Sequence, residues 1–122
     1  MPVFTRLRDG VLVLTVDGDF TPNEVRRIAR QAFEADDTPE VVPVLLDMSG
    51  AAGISAKSGE ELEAVGATFL GSRQRISGLA IVAPSAFHGR FDPRGLFGPE
   101  VELPVSIHTT HADARAWLAH RS

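Results

Sequence analysis

The sequence predicts one α/β domain built on a mostly parallel sheet, and three observations predict it. Short apolar runs rich in Val, Ile and Leu recur along the chain. Between them lie segments with apolar residues at helical spacing, and each such segment opens on a Ser or Thr placed to cap a helix. Continuous apolar strands need cover on both faces, and helices alternating with strands supply it.

The first element is Val3 to Arg8, which can pair with Val11-Leu12-Val13-Leu14-Thr15-Val16 as an antiparallel hairpin across Asp9-Gly10. Thr21-Pro22-Asn23-Glu24 then forms a capping box with proline at the first helical position. Val25, Ile28, Ala29, Ala32 and Phe33 share one face of the helix that follows, with Arg26, Arg27, Arg30 and Gln31 on the other.

Val44-Leu45-Leu46-Asp47-Met48 reads as a buried strand with Pro43 at its entrance. Ser58 with Glu61 repeats the capping box and starts a helix through Leu62, Val65, Phe69 and Leu70, reaching to about Arg73. Gly78 opens a strand over Leu79-Ala80-Ile81-Val82-Ala83, closed by Pro84. A short, broken helix is expected between Ser85 and Glu102, where Phe87, Phe91, Leu96 and Phe97 lie among glycines and prolines. Val105-Ser106-Ile107 is the last strand, and Thr110 with Asp113 starts the last helix, whose Ala114, Trp117 and Leu118 share a face. Trp117 is expected to be mostly buried. The order is β-β-α-β-α-β-α-β-α, about five strands in one sheet, with right-handed crossovers.

The chain of 122 residues fits one domain over 1–122, and 43% hydrophobic with 23% charged residues describes a folded protein. A net charge of −4 with mixed signs gives no basic stripe for nucleic acid. The absence of cysteine excludes disulfides and thiol chemistry. Met1-Pro2-Val3-Phe4-Thr5-Arg6 carries no apolar signal segment, and no run approaches the ~18 apolar residues of a membrane span, so a cytoplasmic location is expected.

Three stretches resemble the SpoIIAA-like, STAS-type family. They are Asp17-Gly18-Asp19-Phe20-Thr21, a strand end feeding a capped helix; Val44-Leu45-Leu46-Asp47-Met48-Ser49-Gly50, similar to that family's strand-end LLD and small-residue loop; and His111-Ala112-Asp113-Ala114-Arg115-Ala116-Trp117-Leu118. The last, with Leu79–Ala83 followed by Phe87-His88-Gly89-Arg90-Phe91, resembles a poorly characterised bacterial branch. The resemblance implies a non-catalytic module that binds a protein partner or a small apolar ligand, and the small size of the domain allows a homodimer. It also admits an anti-sigma-factor antagonist, switched by phosphorylation of a serine in a DSSG loop. Here that loop reads Ser55-Ala56-Lys57-Ser58-Gly59, without the leading acid and with a lysine between the serines, so Ser55 and Ser58 are weak candidates for such a switch.

Open α/β sheets bind ligands beyond the carboxyl ends of their strands. Asp47, Ser49, Ser55, Ser85, His88, His108 and Thr109 fall there. A serine, a histidine and an aspartate on one edge admit a minor hydrolase, but no Gly-x-Ser-x-Gly elbow occurs. Asp47 reads first as an acceptor for the amides of its following loop. His108 and His111 straddle a strand end and a helix start, and no third ligand adjoins them, so no metal is expected. No cofactor is expected either, because no phosphate-binding glycine loop occurs. Arg73 and Arg75 read as a solvated pair. The candidate ligand or partner site is Phe87, His88, Arg90, Phe91 and Phe97 with Asp47 and Ser49, the aromatic segment acting as a movable cover or dimer contact.

Overall fold

A computed structural model describes residues 3–18, 20–50, 59–84 and 103–120, with the backbone alone for 59–63. The sheet is five-stranded: β1 (Val3–Arg8), β2 (Val11–Asp17), β3 (Val42–Gly50), β4 (Ile76–Val82) and β5 (Val105–His108), in that spatial order. β1 pairs antiparallel with β2, and every later pair is parallel. The helices are α1 (Pro22–Glu34), α2 (Gly59–Leu70) and α3 (His111–Ala119). The broken helix expected over 85–102 lies outside the described residues.

The β1–β2 hairpin turns at Asp9 (φ 53°) and Gly10 (φ 79°). Two positive φ values in succession are what a two-residue turn needs to match the strand twist, and glycine takes the second without steric cost.

Leu12, Leu14, Val16, Val44, Leu46, Met48, Leu79 and Ile81 point to one face and join Val25, Ile28, Ala29, Ala32 and Phe33 of α1 and Val65 and Phe69 of α2 in the main core. Each such aliphatic side chain taken out of water stabilises the fold by roughly 1.5–3 kcal/mol. On the other face Val13, Leu45, Ala80 and Val82 meet Ala114 and Leu118 of α3. Ala114 over Ala80 brings helix and sheet close, both fully buried.

The caps behave as the residues dictate. Thr21 Oγ1 accepts from the Glu24 amide at 3.2 Å, and Thr110 Oγ1 from the Asp113 amide at 3.1 Å. The C-terminus of α1 has no glycine and is closed from outside. Thr38 Oγ1 donates to the Ala32 carbonyl at 2.7 Å, and Arg75 donates to the carbonyls of Phe33 (2.5 Å), Glu40 (3.0 Å) and Pro39 (3.2 Å). Arg75 therefore overturns its reading as a solvated cation: it also lies over the Phe33 ring, 5.4 Å from its centroid. Arg73 likewise donates to the Leu70 carbonyl, 3.1 Å away, at the end of α2.

Three boundaries differ from expectation. β3 begins at Val42, paired with Ile76, so Pro43 stands within the strand at a register shift and not at its entrance. A shift of this kind accommodates a residue without an N–H to donate. β4 begins at Ile76 rather than Leu79, and α2 stops at Leu70, before a 3₁₀ turn over Arg73–Arg75. Trp117, expected to be mostly buried, is partly buried and packs against the cluster formed by Ala114 and Leu118 with the sheet.

Candidate functional site

The two faces of the sheet are covered unequally. One helix is ~10 Å wide, while five strands at ~4.8 Å spacing span nearly twice that. Among the described residues α1 and α2 pack on one face, and α3 packs on the other, over β3, β4 and β5. No described helix covers the hairpin side of that face.

Alternation along β1 decides what the open face carries. Val3 and Leu7 turn toward the main core. Phe4, Arg6 and Arg8 turn the other way, opposite Thr15, Val13 and Val11 of β2. Phe4 keeps 53% of its surface exposed. On the facing flank of α3, His111 and Arg115 are four residues apart and so adjacent on the helix surface. Together these groups bound a cleft of about 820 Å³, lined by Phe4, Arg6, Arg8, Val13, His111 and Arg115, with Asp9 at one end and Thr15 in the floor.

His111 joins the cleft to the sheet. Its Nε2 lies 2.5 Å from Oδ2 of Asp47. Oδ1 of Asp47 accepts from the Ser49 amide at 2.9 Å and from the Ser49 hydroxyl at 2.6 Å. The aspartate is nearly covered, with 12% of its side chain exposed against 44% for the histidine. Burial raises the Asp47 carboxyl, yet the bonds from His111 and Ser49 outweigh it and hold the group below the usual carboxylate range.

No family model matches the sequence, and no curated protein does. Among solved structures the chain is similar to an uncharacterised DUF3478-family protein with a SpoIIAA-like fold from Shewanella loihica PV-4. The TM-score is 0.62 at 15% identity, over 95% of this chain and 91% of that one. The chain adopts the SpoIIAA-like fold. A likeness at that identity speaks to architecture and leaves the chemistry to the residues.

In this SpoIIAA-like domain Asp47 and Ser49, named from sequence, are brought together, and Asp47 does accept its following amide. The histidine that completes the cluster was weighed from sequence only as a metal ligand. Its former companion His108 turns away, its ring 6.1 Å from that of Trp117 between centroids. Ser55, Ser58, Ser85, Phe87, His88, Arg90, Phe91 and Phe97 lie outside the described residues. Among the described residues no helix is long and apolar enough to cross a membrane, and no group of three metal-ligating side chains forms.

The order of the cluster limits its chemistry. Hydrolytic triads place the histidine between serine and carboxylate, so that the ring can take the serine proton. Here the carboxylate stands in the middle and the Ser49 hydroxyl donates to it. The cluster fixes the His111 ring against the end of β3; it does not activate Ser49.

Sequence reasoning missed Phe4, Arg6, Arg8 and Arg115. The period-two spacing of the first three and the i, i+4 spacing of His111 and Arg115 were available signals. Which face α3 leaves bare was not.

Proposed function

We propose that this SpoIIAA-like domain is a non-catalytic binding module whose ligand occupies the cleft between the β1–β2 hairpin and α3. One observation carries the reading. The cleft has the volume of a small-molecule site, roughly 300–1,000 Å³, and sets charged side chains around Phe4, Val13 and Thr15 on a part of the sheet that the described helices leave open. The Asp47–His111 bond serves this role by fixing α3, and hence the position of Arg115, against the strand ends. The small apolar ligand expected from sequence becomes, on this geometry, a ligand with a polar or charged end.

The test is amide chemical-shift mapping with a mixture of small aromatic and anionic fragments, with native mass spectrometry of freshly purified protein for any resident ligand. Shifts gathered on Arg6, Val13, Thr15 and Arg115 are the expected result. Shifts confined to the α1–α2 face would overturn the assignment, and shifts on β1 that track protein concentration without fragment would assign the face to a second copy.

A further inference from the structure

The lining charges specify the ligand further, on the reading just given of the cleft as the binding site. Arg6, Arg8 and Arg115 bring three guanidiniums to one cleft, against the single carboxylate of Asp9. The whole chain carries 16 acidic residues and 12 Lys and Arg, a net charge of −4. A surplus of carboxylates elsewhere makes a local surplus of cations informative. Among the described residues none of the three arginines has an ion pair or side-chain hydrogen bond, whereas Arg26, Arg73 and Arg75 each have a protein acceptor. Asp47, which could have neutralised one of them, is taken by His111 and Ser49.

We infer that the cleft binds a small, soluble organic phosphate monoester, with the phosphate held by Arg6, Arg8 and Arg115 and an apolar or aromatic body laid against Phe4 and Val13. Three guanidiniums against one carboxylate leave two positive charges among the arginines and Asp9, which a phosphate monoester dianion balances and a monocarboxylate does not. The planar fork of an arginine presents paired N–H donors to phosphate oxygens, which is why arginine outperforms lysine at such sites. Phe4 is the aromatic surface: it is half exposed at the mouth of the cleft, opposite Thr15. A phosphate without an organic body would leave it in water.

The experiment is calorimetric titration with phenyl phosphate, phenol and inorganic phosphate, each paired with amide mapping on the intact chain. Phenyl phosphate should bind at least about tenfold more tightly than either half of the molecule, with shifts on β1, β2 and α3. Arg6→Gln and Arg115→Gln should each weaken it by roughly tenfold, the worth of one charged hydrogen bond, at unchanged melting temperature. Arg30→Gln, on the exposed side of α1, should leave affinity unchanged. Phenol binding as well as phenyl phosphate in the same cleft would overturn the phosphate inference and leave the cleft assignment standing. Shifts from phenyl phosphate that map away from β1 and α3 would remove both. A short phosphotyrosine peptide binding more than about tenfold tighter than phenyl phosphate would overturn the commitment to a small molecule and point to a phosphorylated protein.

Discussion

Arg75 illustrates how much one side chain can organise. Its guanidinium closes the C-terminal end of α1 and gathers the carbonyls of Phe33, Pro39 and Glu40. Arg75→Ala leaves the part-buried Phe33 carbonyl without this donor and removes two exposed bonds, so a loss of about 2 kcal/mol is expected, read from the urea midpoint at constant slope. Lysine, with a point charge and no fork, should recover only part of it. Thr21→Ala removes the α1 cap and should cost about 1 kcal/mol. Trp117→Ala should cost about 2 kcal/mol, below the roughly 3–5 typical of a fully enclosed aromatic, because part of the indole surface stays in contact with water. Asp47 gives a pH signature with a definite sign. Its carboxyl sits below its ordinary 3.8 in the folded state, so its contribution is present above that value and is lost as pH falls through the lower one. Acid unfolding of the wild type should therefore steepen below about pH 4, and Asp47→Asn should flatten that limb, the two curves converging once the wild-type carboxyl is protonated in both states.

At the scale of elements, the strands and capped helices were legible because their signals are local. The Thr21 cap, the Asp9-Gly10 turn and the apolar stripe of α1 each arise from residues close in sequence, and each formed where the sequence placed it. The ends of β3 and β4 were missed because Pro43 and Gly78 read locally as boundaries. A bulge in the pairing lets both stay inside the sheet, and a bulge is a property of two strands. The partners of Arg75 and the His111–Asp47 bond were illegible for the same reason, joining residues that only the fold makes neighbours.

Across the whole molecule, five strands lie in sequence order, and among the described residues α1 and α2 pack on one face and α3 on the other. Sequence alternation could assign Arg6 and Arg8 to the face opposite Val3, but not that the described helices leave the hairpin part of this face uncovered. That shortfall in cover converts an ordinary strand pair into the wall of a cleft, and it is why the candidate site fell on β1 and α3 as well as on the strand ends. Filling the cleft by Thr15→Phe should add apolar contacts with Phe4, keeping or slightly raising the melting temperature while abolishing fragment binding at the amides of Arg6 and Arg115.

The two walls of the cleft, β1 and α3, are the first and last elements in the order, separated by almost all of the intervening chain. A hairpin and a capped helix can form from near neighbours, but this cleft exists only after a very long loop has closed. A ligand held between the walls would work as a clasp on that closure. In native-state hydrogen exchange, saturating ligand should slow β1 and α3 together while leaving α1, which the ligand does not touch, at its unliganded rate. Equal slowing of every element would mean that the domain opens only as one unit, with no separable release of its ends.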